Sequence, residues 1–339
     1  MSANEMTKPK PPNEKTPGTL GSTVPESDIA QRFKFVVETG LKIFGGSALT
    51  DSSQPIAQTD LDLIPLFFRR EQGVAPTRPD APWRLSALTN TDPRFNGPRP
   101  DGKPWRPVDG SYFGNWEAPA GPLEHIILAQ KAGEFFTNQI KQHLRPDLAD
   151  SEAQEMRSLS AKHAAAAAGL HDAGRTITHA FWSTDMIGGA ALNEIGIRED
   201  LRRVMPREEV MQTPLDQSMD EVIENIGPEA VIVRLADEFG KRQPGTSHTY
   251  LVSGYEEWVT SGGADKWAET YTSRPGTGLK YETKFRENVQ LHKDNVGRYF
   301  AALDKWIQNR TTLNLGELTT MFREHIDQTS PLPPLPVKK

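Results

Sequence analysis

Nineteen of the 27 prolines fall in three patches: five in residues 1–30, ten from Pro76 to Pro122, and four in the last nine residues. Proline locks φ, lacks an N–H and disfavours helix in the residue before it. Regular helix must therefore be built between the patches. From Leu123 to Ser330 only six prolines occur in 208 residues, and there apolar side chains recur at helical spacing. Residues 1–28 are polar, with almost nothing to bury, and are expected to be a disordered tail. The terminal PLPPLPVKK is expected to be an extended polyproline-like tail, in which Pro333, Pro336 and Lys338 fit a loose SH3-ligand spacing.

Composition narrows the chemistry. The 339 residues include no cysteine, which removes disulfides, thiolate metal sites and cysteine nucleophiles together. Any metal must then be held by His, Asp and Glu. With 45 acidic against 39 basic side chains, the mildly acidic balance argues against a protein that coats nucleic acid. No apolar run approaches a membrane span, and MSANEMTKPKPPNEK lacks the apolar core of a signal peptide. A soluble, cytoplasmic protein of two domains, or one with long decorations, is expected.

The local pattern predicts a mainly helical architecture. Ile29, Phe33, Val36/Val37, Leu41 and Ile43/Phe44 form one helical face that Gly45-Gly46 ends. The run Leu61 to Phe68 fits a strand or a short helix. Gln72 to Ala120 reads as an irregular arm whose rings (Trp83, Trp105, Tyr112, Phe113, Trp116) pack onto the main domain and border the active site. Helices are expected over Pro122–Leu144, from Ser151 through the alanine run to Asp172, over Ser183–Glu194 closed by Gly196, and over Asp216–Asn225. Further ones are expected over Pro228–Arg242, 284–309 and 315–328. The resulting division is a tail (1–28), a helix and arm (29–120), a metal domain (121–245), a C-terminal helical extension (246–330) and a proline-rich tail (331–339). Arg198 to Arg207 reads as a solvated face of mixed sign. His163 reads as a packing or surface residue. Tyr250, Tyr255, Trp258, Trp267 and Tyr271 read as packing of a small helical subdomain.

Four residues stand out by their surroundings: His125, the dipeptide His171-Asp172, and Asp237. Each lies on an expected helix among apolar or small residues, where a carboxylate is costly to bury without a compensating cation. Singly, each reads more readily as a satisfied core histidine, a helix cap or a surface charge; together, in this order, they read as a metal site. Two imidazoles and two carboxylates from three helices suit Mn, Fe, Co, Ni, Zn or Mg. Neighbours on a helix point about 100° apart. His171 and Asp172 can thus share an ion only where the helix ends, as Gly174 suggests.

The order H…HD…D, carried by LEHIILAQKAGEFF, AAGLHDAGR and VIVRLADEFGKR, resembles the HD-domain metal-dependent phosphohydrolase superfamily. The resemblance covers about Gly121 to Arg242. It implies an all-α, HD-domain-like bundle with His125, His171, Asp172 and Asp237 as metal ligands. The interval of 46 residues from His125 to His171 is on the long side, and Ala173 and Arg175 stand where the family often has isoleucine and lysine. Relatives often place a histidine for a second metal where Asp185 stands; Asp185 or His179 would serve here. The resemblance further implies hydrolysis of a phosphate ester, with a nucleotide as the expected substrate. Arg175 would hold phosphate oxygens, His179 would act as general acid or base, and Asp172 would bridge two ions if a second were bound. Two rivals remain: a diiron oxygenase of the same fold, and a non-catalytic ligand-binding regulator.

Overall fold

Helix is the common element wherever the chain is described, and its ends follow local chemistry. The computed structural model describes residues 26–73, 122–176, 181–205, 210, 213–240 and 280–330. The expected tails and aromatic arm lie outside these except at residues 26–28 and 72–73, which are helical rather than irregular; the Tyr250–Tyr271 cluster lies outside them. The N-terminal helices are α1 (Glu26–Phe44) and α2 (Gln58–Gly73); the long α3 (Pro122–Gln142), α4 (Asp150–Ser158) and α5 (Ala161–Leu170) follow. A 3-10 turn, His171–Thr176, leads to α6 (Phe181–Ile195) and α7 (Glu199–Val204). Then come α8 (Met219–Asn225), α9 (Pro228–Phe239), α10 (Lys280–Arg310) and α11 (Leu315–Thr329). Among the described residues there is no strand, only one isolated antiparallel bridge between Leu144 and Thr311. No described helix is long and apolar enough to cross a membrane.

Several expectations are corrected by this pattern. The single helix expected from Ser151 to Asp172 is two helices plus the 3-10 turn. Ser160 breaks it, since its extended backbone and its hydroxyl, which accepts from the His163 amide, start a new helix. The helix at Pro228 stops at Phe239 rather than Arg242, with Gly240 at its C-cap. Leu61 to Phe68, open between strand and short helix in the sequence, is helical. Arg198 to Arg207, read as a solvated face, contains α7, whose Leu201 is fully buried.

The buried apolar residues form one contiguous core from Val36 to Ile326. Phe136 of α3 meets Phe239 of α9 at a ring separation of 6.3 Å and Phe322 of α11 at 5.2 Å. Phe239 in turn meets Phe300 of α10 at 6.2 Å. Around α3, packing is close enough to need glycine. A Cβ at Gly133 would lie 2.8 Å from the Ala164 carbonyl oxygen of α5, and one at Gly240 would lie 2.6 Å from the Ala129 amide nitrogen. Small residues thus bring α3 against α5 and the end of α9, where the candidate ligands stand.

Pro65 inside α2 leaves the Leu61 carbonyl without its usual intrahelical donor. Gln130 of α3 supplies one from outside, its Nε2 donating to Leu61 O at 3.0 Å. The glutamine reaches it across Gly169, where a Cβ would come within 2.5 Å of Gln130 Cγ. Replacing Gln130 with Leu should cost about 1–3 kcal/mol, because a buried carbonyl loses its partner. In a Pro65→Ala background, residue 65 regains an amide to bond Leu61, and the same replacement should cost less. Thermal or denaturant unfolding of the four proteins checks this; equal costs in both backgrounds would contradict it.

Candidate metal centre

His125 sits in the first turns of α3, His171 and Asp172 open the 3-10 turn after α5, and Asp237 lies near the end of α9. Their side chains converge. His125 Nε2 is 3.2 Å from His171 Nε2. Asp237 Oδ1 is 3.3 Å from the first nitrogen and 3.1 Å from the second. Asp172 turns one oxygen to each ring, Oδ2 at 3.6 Å from His125 Nε2 and Oδ1 at 3.6 Å from His171 Nε2. His125 and Asp172 are buried, at 5% and 4% exposure, while the Asp237 side chain keeps 16%. Asp237 is therefore the more open side of the cluster.

The hydrogen bonds on the far side of each ring decide what the near side offers. His125 Nδ1 lies 3.0 Å from Gly240 O, and His171 Nδ1 lies 2.5 Å from Ala168 O. A carbonyl only accepts, so each Nδ1 carries the hydrogen and, in the neutral ring, each Nε2 is a lone pair. Two imidazole lone pairs and a carboxylate oxygen then face one another with no hydrogen between them. A cation at their centre removes that repulsion. At metal–ligand lengths of about 2.1 Å, adjacent donors of an octahedral or tetrahedral centre stand roughly 3.0–3.4 Å apart. The three separations of 3.1, 3.2 and 3.3 Å match.

Among the described residues, His125, His171 and Asp237 are the group able to hold a metal ion. Asp172 adjoins this triad, with its two oxygens 3.6 Å from the two ring nitrogens. The side chains of Arg175 and Asp185, and all of His179, lie outside the described residues. Sequence reasoning missed the Gly240 and Ala168 carbonyls, which orient the rings, because backbone groups leave no residue-type signal. It also missed that His163 is buried between two carboxylates, Glu229 and Asp200.

The close backbone approach that seats the turn is explicit. A Cβ at Gly188 of α6 would lie 2.6 Å from the Gly174 amide nitrogen. Glycine at 188 lets α6 pack directly on the backbone of the turn that carries His171 and Asp172. Comparison with protein-family models, with curated proteins and with solved structures finds no match to this chain. The centre therefore rests on its own geometry.

Burial opposes charge on His171, but the carboxylates of Asp237 and Asp172 outweigh it and raise the imidazole from 6.5 to about 9. Without metal, a proton thus takes the cation's place at neutral pH. A raised pKa stabilises the fold fully below about 6.5, and the benefit is lost as pH rises through about 9. Metal must displace that proton, so its affinity should rise over the same window. Thermal unfolding from pH 6.5 to 9 in chelator should show a falling midpoint, and with divalent metal a growing stabilisation. Flat profiles in both conditions would contradict this reading.

Proposed function

We propose that this chain is a metal-dependent phosphohydrolase of the HD-domain type, acting on a small phosphate ester, with a nucleotide as the expected substrate. The observation that supports it most is the convergence of two oriented imidazole lone pairs and the Asp237 carboxylate at coordination spacing. They come in the order and on the elements that the resemblance implies. Asp172 completes the proposed donor set, since its two oxygens already face the two rings. The described residues are helical, and the close backbone approaches at Gly188 and Gly240 adjoin these residues, which suits such a site.

A divalent ion held by these groups would supply Lewis-acid polarisation of a phosphoryl oxygen and make an attacking water more acidic. The protein's own part is positioning. Gly240 and Ala168 hold the two Nδ1 hydrogens, which keeps both rings aimed at one point. The apolar surroundings of His125 and Asp172 exclude bulk water and strengthen every charge interaction there. Arg175, three residues after Asp172 at the end of the 3-10 turn, is assigned to the non-bridging phosphate oxygens. A guanidinium presents its donors in a planar fork suited to that geometry. His179 is assigned the proton transfer to the leaving group.

The test is a panel of nucleoside monophosphates, nucleoside triphosphates, cyclic nucleotides and simple aryl phosphates, assayed with Mn, Co, Ni, Zn or Mg after chelator treatment. Metal-dependent release of phosphate or pyrophosphate is expected. Asp172→Ala should lower it by at least about 100-fold while the far-ultraviolet circular dichroism stays helical. Undiminished turnover in that variant would contradict the assignment. Two bound irons with oxygen consumption would point to the oxygenase instead.

A further inference from the structure

The helix that ends at His171 is unusually smooth. Residues Ala164 to Ala168 and Gly169 are all buried, and none carries a side chain long enough to key into a neighbour. An alanine face packs closely but resists sliding poorly, since it offers no ridge for a groove to hold. A one-residue slip moves a helix by about 1.5 Å. A metal centre tolerates distance errors of only about 0.2 Å. Something other than the alanines must set the register in which α5 presents His171 to Asp237.

His163 stands where that lock is needed. It lies eight residues before His171, and Glu229 lies eight residues before Asp237. Its Nδ1 is 2.5 Å from Glu229 Oε1, while His171 Nε2 is 3.1 Å from Asp237 Oδ1. The same two segments are thus joined by a histidine–carboxylate contact at each end, about 12 Å apart at helical rise. Equal spacing on both sides means that α5 and α9 run in the same direction and in register.

The second ring nitrogen ties this rung to a third element. His163 Nε2 lies 3.2 Å from Asp200 Oδ2, within ion-pair range although outside hydrogen-bond alignment. Asp200 is itself clamped by Arg198, whose Nε and a terminal nitrogen donate to its two oxygens at 2.7 and 2.6 Å. Arg198 also donates to the carbonyls of Ala48 and Gln54 in the segment after α1. The His163 side chain is 10% exposed, so it is a built contact and not a surface encounter.

We infer that His163 is a positioning residue of the metal centre: through Glu229, and backed by Asp200, it fixes the register of α5 against α9 that brings His171 and Asp237 onto one ion. The inference rests on the metal-centre reading above. It concerns no contact with metal or substrate, only the distance between two of the proposed ligands.

The test is Co2+ binding to the full chain, followed by titration and by the visible absorption of the bound ion. His163→Ala is expected to raise the Kd about 10- to 100-fold and to change the absorption spectrum. His163→Asn, whose side-chain amide can still donate to Glu229, is expected to recover most of the affinity. Leu318→Ala, which opens a cavity in α11 away from the centre, is expected to lower stability but leave the Kd and the spectrum as in the parent. If His163→Ala does not fold, Glu229→Gln carries the test with a smaller rise expected. Unchanged Co2+ affinity and spectrum in the His163 and Glu229 variants would overturn the inference while leaving the centre in place. A parent protein that binds no Co2+ would overturn the centre itself, and this inference with it.

Discussion

Two backbone carbonyls hold the two imidazoles by their Nδ1 hydrogens, and much else in the molecule serves to keep those carbonyls where they are. Gly240 O belongs to the last residue of the α9 cap, and Ala168 O to the last turn of α5. Because both far-side nitrogens are committed as donors, both near-side nitrogens must face the same small volume as acceptors. Bringing Asp237 into that volume adds negative charge. Such an arrangement is stable only around a cation or a proton. The raised proton affinity of His171 is the metal-free form of that requirement.

The rest of the fold can be understood as the means of holding three segments at this spacing. Gly133 against Ala164 and Gly240 against Ala129 allow backbone-to-backbone approach where a methyl group would intrude. Gly188 against Gly174 does the same for the turn that carries the His-Asp pair. Aromatic packing through Phe136, Phe239, Phe300 and Phe322 ties the C-terminal helices to the same core. Polar contacts are placed where packing alone leaves freedom. Gln130 compensates a carbonyl stranded by Pro65, and His163 keys a helix whose face is alanine.

Much of this was legible in the sequence. Helical spacing located α1, α3, α6 and α8 to α11, because their apolar faces are strong and several of their ends are marked by Pro122, Gly196 and Pro228, but it left α2 undecided and did not find the short α7. The candidate ligands were legible because His125 and Asp237 stand among apolar neighbours, where charge needs a reason. The break at Ser160 was not legible: an alanine run hides a boundary, and a serine cap two residues after Ser158 resembles ordinary helix content. Nor was it legible that Asp172 turns one oxygen to each ring, since that depends on how the 3-10 turn orients it. The roles of Gly240 and Ala168 as acceptors, and the His163 rung, are long-range contacts that no local pattern encodes.

The most direct test is isothermal titration of the chelator-treated protein with Mn, Co, Ni, Zn and Mg, paired with elemental analysis of the loaded protein. At least one equivalent of a divalent ion is expected, with binding lost when His125 and Asp237 are both replaced by alanine in a variant that remains helical. No binding of any of these ions by the parent protein, or equal binding by that variant, would contradict the metal centre.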